Sequence, residues 1–369
     1  MRTTVVALTL LAAACTTVGA GTDTLRARVT PRPTALAQNV WTPTVTITKS
    51  GEPTSTALAL SIRKGGERRT LKPRATKRGT YSARVIFPSD GHWRWTLTSR
   101  SRTLSHGALR VGLTFELPYD LAVAPDGSIY FVDKGRVLLW HPTTRHVTLY
   151  ARTPSNEVSA LVRAADGTIY VADIPGGRIM RVDTARRVTS VASIRAPGDM
   201  TIDPAGTTLW VGSIDNGVYR VDLSNGHVEL IDRSIGVHGL DRDAAGNLYV
   251  HDANKISRID AGTGVKTTFS DLDGIKLLAA PDGSVYASAG GPAGGRIYRI
   301  TPDGTATPVV GTGLTGPHRD GRALDAKIGP FATQFASNGA LLVTQTQPIA
   351  AIRRVDLATG TITTLARGD

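Results

Sequence analysis

Disulfide chemistry is closed to this chain: Cys15 is its one cysteine in 369 residues, and it stands near the N-terminus. With a single thiol no internal bridge can staple the fold, and the paired cysteines of zinc fingers and ribbons are excluded. Methionine is almost as scarce, with Met1, Met180 and Met200 the full set of 3, so a copper-type cluster of His and Met ligands is missing. Long apolar runs are absent too. Outside residues 5–14 nothing approaches the roughly 20 consecutive apolar residues that a bilayer span requires. No glycine-rich phosphate loop, His-Glu-x-x-His or Gly-x-Ser-x-Gly occurs. Ser61-Ile62-Arg63-Lys64 has the Ser-x-x-Lys spacing, but it falls in an expected strand, without the helix that lets such a lysine act as base.

The N-terminus carries the marks of export. Arg2, the apolar residues 5–14 and Val18-Gly19-Ala20 read in turn as charged region, hydrophobic region and small-residue cleavage site. Residues 1–20 are therefore set apart from the fold, and the protein is expected to be secreted or held at the cell surface, with no transmembrane span in the mature chain. Two readings of Cys15 stay open. It is cut away with the leader, or it becomes a lipidated N-terminus, since Ala12-Ala13-Ala14-Cys15 resembles a bacterial lipobox.

Acidic residues are short in one part of the chain alone. Residues 23–110 hold 17 Lys plus Arg against 4 acidic groups, whereas residues 111–369 hold 25 against 26, so the net charge of +13 belongs to the N-terminal part. Arg26, Arg28, Arg63, Arg84 and Arg94 alternate there with apolar residues and are expected on solvent-facing sides of strands. Such a surface either keeps the protein soluble or docks it on an anionic lipid or cell-wall polymer by long-range attraction. Nucleic acid is not an expected partner, because export removes the chain from it and no nucleic-acid motif is present.

What the sequence has in quantity is short β-strands. Residues 23–110 alternate apolar and polar side chains between turns such as Ser50-Gly51-Glu52-Pro53 and Lys64-Gly65-Gly66, the pattern of a small antiparallel sandwich. Gly79-Thr80-Tyr81 with Gly91-His92-Trp93 resembles the immunoglobulin-like accessory domains of exported bacterial proteins. From residue 111 onward one unit repeats. Asp126-Gly127-Ser128-Ile129-Tyr130, Asp166-Gly167-Thr168-Ile169-Tyr170, Ala245-Gly246-Asn247-Leu248-Tyr249 and Asp282-Gly283-Ser284-Val285-Tyr286 are close copies, and Gly206 and Gly339 mark looser ones. Six copies about 40 residues apart are the signature of a six-bladed β-propeller over residues 111–369, so the fold class is all-β. The third strands end in aspartates (Asp183, Asp222, Asp260, Asp356) before hairpin turns, which reads them as turn formers. Val111-Gly112-Leu113-Thr114-Phe115 is expected to add a strand to the last blade and close the ring.

The last unit, Gly316-Pro317-His318-Arg319-Asp320-Gly321 through Ile352-Arg353-Arg354-Val355-Asp356, resembles an NHL repeat. Residues 118–367 are similar to the wider six-bladed group of SMP-30 gluconolactonases and streptogramin lyases. That architecture hosts binding proteins, lactonases and lyases alike.

Candidate site residues follow from aligning the copies on their turn glycines. Asp120, Ala160, Asp199, Gly239, Lys276 and Ala332 then share one level on the axis, and Tyr119, Ser159, Gly198, His238, Ile275 and Phe331 the level before it. Asp120, Tyr119, Lys276, Phe331 and, in the long last unit, His318 are expected ligand contacts. His238, with Asp199, has the chemistry of a general acid or base. The resemblance to the lactonases implies a divalent cation, Ca2+ or another, held by Glu157, Asp199 and His238. Two functions remain open: an exported, envelope-associated binding or scaffolding protein whose propeller presents a face to a small molecule or protein, or a hydrolase or lyase acting on a small molecule at the axis.

Overall fold

The computed structural model describes residues 25–32, 35–36, 40–88, 91–215, 217–234, 236–289, 295–317, 319–336, 338–347 and 349–368. Residues 1–20, expected as an export leader with Cys15 among them, and His318 lie outside these residues, and of Phe331 only the backbone is described. The fold is all-β: among the described residues the one helical element is a 3-10 turn at Ala323–Asp325. The chain forms two compact units, one of residues 1–34, 40–86 and 92–109, the other of residues 35–39, 87–91 and 110–369.

In the first unit Leu25–Thr30, Thr44–Lys49, Thr80–Ser82 and Arg74–Lys77 lie side by side in one sheet; Arg102–Val111, Gly91–Ser99, Ala59–Lys64 and Glu67–Leu71 do so in another. Alternation makes these strands: in Gly91–Ser99 the buried positions are Trp93, Trp95, Leu97 and Ser99, and the residues between them face outward. Trp41, Val45, Ile47, Leu60, Ile62, Trp93 and Leu97 are almost wholly buried, with the Trp41 and Trp95 rings 5.2 Å apart. Each such burial contributes about 1.5–3 kcal/mol. Without a disulfide, that packing must hold the unit.

Among the described residues of the second unit six antiparallel sheets follow one another; the first five run outward in chain order from an inner strand, and the last does so through its first four strands. The inner strands are Pro118–Val123, Val158–Arg163, Pro197–Ile202, Leu240–Arg242, Gly274–Ala279 and Gly329–Phe335. Each touches the next, and the last touches the first, so the sheets close into a β-propeller. Side chains from successive sheets interleave, as where Met200 and Leu209 meet Ile179 and Ala192.

The repeated Asp-Gly turn works as its composition demands. Asp166 accepts the Thr168 N–H at 2.8 Å and its hydroxyl at 3.0 Å, while Gly167 takes φ +91°, which a side chain would strain. Asp183, Asp222, Asp260 and Asp356 likewise accept backbone N–H groups of the turns after them. Ring closure differs from the expectation. Residues 113–115 form no strand. The fifth strand of the last sheet is Gly321–Arg322, paired with Thr361–Arg367 and supplied by the long final unit. Phe115 contributes by packing instead, with its ring 5.0 Å from Phe131 in a cluster that includes Ile352.

Candidate functional site

The inner strands do more than line the axis. In Pro118–Val123, Val158–Arg163, Pro197–Ile202 and Gly274–Ala279 the pairing slips by one residue, leaving Tyr119, Ser159, Gly198 and Ile275 as bulges. A bulge puts one extra residue against the partner strand and re-aims its side chain. Two successive residues, such as Tyr119 and Asp120, therefore both reach the axis, at different depths.

The bulge residues form the outer level. Together with Glu157, Ile174, Ile214, His238 and Lys276 they line a mostly apolar pocket of about 330 Å³. His238 stands exposed at its wall. Burial of the imidazole on its inner side, then the neighbouring His251 and Lys276, push its pKa below the usual histidine value, so the ring is neutral at neutral pH. The His251 ring lies 5.9 Å from it, and faces the Gly236 carbonyl at 2.8 Å through Nδ1 and Asp273 Oδ1 at 3.0 Å through Nε2. Burial, then Glu157 and Asp133, raise the Tyr119 pKa, keeping its hydroxyl protonated. Ser159 donates its hydroxyl to the Pro197 carbonyl at 2.9 Å, which ties it to the scaffold.

One residue deeper the axis is blocked by an ionic layer. Lys276 Nζ lies 2.7 Å from Asp199 Oδ1 and 3.7 Å from Asp120 Oδ2, with all three side chains nearly inaccessible to solvent. The remaining carboxylate capacity is used by the backbone. Asp120 accepts the N–H groups of Leu121 at 2.8 Å and Leu161 at 2.9 Å; Asp199 accepts those of Met200 at 3.0 Å and Leu240 at 2.9 Å. The layer thus fastens five of the inner strands. Burial opposes the charge on Lys276, but the two carboxylates outweigh it and raise its pKa. Asp120, the more distant partner, is pushed up to about 6 by burial, which Lys276 offsets only in part.

Beyond the layer is a second cavity of about 400 Å³, lined by Thr201, Asp241 and Gln334 among others. Asp241 accepts the Thr201 hydroxyl at 2.9 Å and the Ala279 N–H at 2.7 Å, and burial pushes its pKa up to about 6.

The outer pocket brings together Tyr119 and His238, which the alignment of the copies sets on one level, and adds Glu157 and, from the level beneath, Lys276. Asp120 and Asp199, expected as ligand contact and catalytic residue, face Lys276 within the layer and, with it, line the second cavity rather than the outer pocket. The metal set is not assembled: among the described residues no group of three or more His, Cys, Asp or Glu side chains is placed to hold an ion. The reason is the bulge, which leaves Asp199 one level deeper than His238, with an ammonium already at one of its oxygens. A divalent cation does not fit these residues. Asp320, beside His318, accepts from the buried Arg353 at 3.3 Å and from Thr364 at 2.8 Å, a structural role. Asp241, His251 and Asp273 were not singled out by sequence. Asp241 alone had a signal, lying two residues beyond Gly239 and hence on the axial side of its strand.

No family model matches this sequence, and no curated protein does. Solved structures do resemble the chain. A structural-genomics protein of unknown function from Bacteroides thetaiotaomicron is 15% identical with a TM-score of 0.51, matching 92% of this chain and 86% of its own. A gluconolactonase of Xanthomonas campestris is 12% identical with a TM-score of 0.53, over 69% of this chain and 87% of its own. A protein described as a putative gluconolactonase is 17% identical with a TM-score of 0.51, over 69% and 90%. At these identities the likeness establishes the fold, a β-propeller.

Proposed function

We propose that the chain is an exported six-bladed propeller enzyme, a hydrolase or lyase, that acts on a small molecule in the outer axial pocket without a bound metal. The observation that carries this is the placement of His238, a neutral imidazole on the wall of an apolar pocket whose other polar side chains are Tyr119, Glu157, Ser159 and Lys276. A neutral imidazole accepts a proton, from an activated water or from carbon next to a carbonyl. The Tyr119 hydroxyl, kept protonated, supplies a donor to the oxygen on which negative charge then develops. Lys276, matched by Asp199 and Asp120, fixes the floor of the pocket and contributes little uncompensated charge. At about 330 Å³ the pocket is at the small end of ligand sites, which suits a compact cyclic ester better than a polymer. Two of the similar structures being described as gluconolactonases supports the same class of substrate. In this reading the first unit is an immunoglobulin-like sandwich, carried with the propeller to the cell envelope.

The test is a panel of lactones and cyclic depsipeptides offered to the purified chain with and without chelator. Turnover that survives chelation and falls on His238→Gln is expected. A pocket that binds panel members but turns none over would return the chain to the class of binding proteins.

A further inference from the structure

Three arginines stand in register across three adjacent strands of the first unit. Arg94 in Gly91–Ser99 faces Arg63 in Ala59–Lys64, and Arg63 faces Arg68 in Glu67–Leu71. All three are exposed. None forms an ion pair among the described residues, and Glu67, the one acid close by in these strands, is opposite Lys64. Like charges directly opposite one another weaken a sheet. A fold that lines up three arginines on neighbouring strands, whose backbones lie about 4.8 Å apart, has therefore kept an arrangement that its own stability opposes.

The next row on the same face is hydroxylic. Thr96 faces Ser61 and Ser61 faces Thr70, with the Ser61 and Thr70 oxygens 2.8 Å apart. Arg63, Arg68, Arg94, Ser61, Thr96 and His106 line a groove of about 600 Å³. Guanidinium forks bind phosphate oxygens in pairs, and hydroxyls beside them suit the linking groups of a chain.

We propose that this groove is a binding site for a linear phosphate-bearing polymer, laid across the three strands along the arginine row. A bilayer is the poorer fit, because membrane docking joins basic charge to apolar side chains that enter the interface. In this unit the one large exposed apolar side chain among the described residues is Ile86, in Val85–Ile86, outside the sheet that bears the row. The structure also sorts the basic residues: Arg26 and Arg28 belong to the other sheet and take no part.

The experiment titrates the full chain with long-chain inorganic polyphosphate at low and raised salt, and separately with phosphatidylglycerol vesicles. Polyphosphate binding that weakens with salt is expected. Arg63→Gln, Arg68→Gln or Arg94→Gln should each weaken it about tenfold, while Arg26→Gln, removing the same charge from the other sheet, should change it by less than about twofold. Arg63→Gln should also raise the melting temperature slightly by relieving repulsion, so that lost binding is not mistaken for lost folding. Equal weakening by Arg26→Gln would reduce the site to diffuse charge, and binding to vesicles but not to polyphosphate would make it a lipid surface. Either outcome, or no binding to both, overturns the proposal.

Discussion

Tyr119 and Asp120 are neighbours in the chain and in space, yet the two levels of the axis that they represent do different work. The outer level is roomy, apolar and uneven, with one aromatic, one serine, one glycine and one isoleucine as its bulge residues and the His238 imidazole beside them. The level beneath alternates: Asp120, Asp199 and Lys276 come from the first, third and fifth sheets, and Ala160, Gly239 and Ala332 from those between. Small residues are needed there because the ring is narrow. A Cβ on Gly239 would stand 2.4 Å from the Ile275 carbonyl oxygen. Charge alone is thus a poor guide to function in this ring. The most charged level is internally matched, whereas the pocket on its outer side is mostly apolar.

If that contrast holds, substitutions at the two levels should separate stability from activity. The largest effect is expected from Lys276→Met, which leaves the buried Asp120 and Asp199 without their cation. Loss of one partner from such a set costs about 3–5 kcal/mol, read by chemical denaturation, and adding Asp120→Asn and Asp199→Asn should recover most of it. His238→Gln should do the reverse, lowering kcat/KM on any substrate found by about 10²–10⁴-fold while stability stays within about 0.5 kcal/mol. Should Lys276→Met leave stability intact and remove only activity, the layer would be catalytic and the contrast would fail.

The period of Asp-Gly turns carries the ring legibly, because each turn needs a residue tolerant of positive φ and an acceptor for the following N–H groups. The levels are legible too, since aligning the turn glycines places Tyr119, Ser159, His238 and Ile275 together, and the pocket does contain them. What the alignment hides is how a level is filled. It sets Asp199 one level from His238, but a slip of one residue in the ladder at Gly198 leaves no mark in composition, and nothing local to Asp199 signals the Lys276 ammonium at its oxygen. Long-range pairing is hidden for a similar reason: nothing local in Asp273 signals His251, 22 residues earlier. The arginine row shows the same limit, because alternation places Arg63 and Arg94 outward but only strand register puts them opposite each other.

Titration sharpens the contrast with a smaller effect. Asp241 has its pKa pushed up to about 6 by burial, whereas an unfolded aspartate ionises near 3.9. The neutral acid is thus favoured in the fold. The stability this group contributes is fully present below the unfolded pKa and is lost as pH rises toward about 6, and Asp120 behaves in the same direction. Asp241→Asn, which keeps an acceptor for the Ala279 N–H, should therefore gain stability over the parent chain as pH rises from about 4 to about 7. Melting temperatures across that range give the difference directly, and a gap that stays constant with pH would mean that Asp241 is ionised throughout.

The smallest expected effect lies behind His238. Burial and the neighbouring His251 and Lys276 favour the neutral form of that imidazole, whereas the carboxylates of Asp199 and, more weakly, Asp273 favour the protonated form. Asp273→Asn removes the weaker of these last two without touching the pocket wall, so the acid limb of kcat/KM should move to lower pH. The Asp273 side chain is 50% exposed, and water and salt screen such a charge, which keeps the displacement small. Activity on the plateau should barely change, because Asp273 reaches the site only through the His251 ring. A limb that does not move would assign it to a group other than His238, one that the Asp273 charge does not reach.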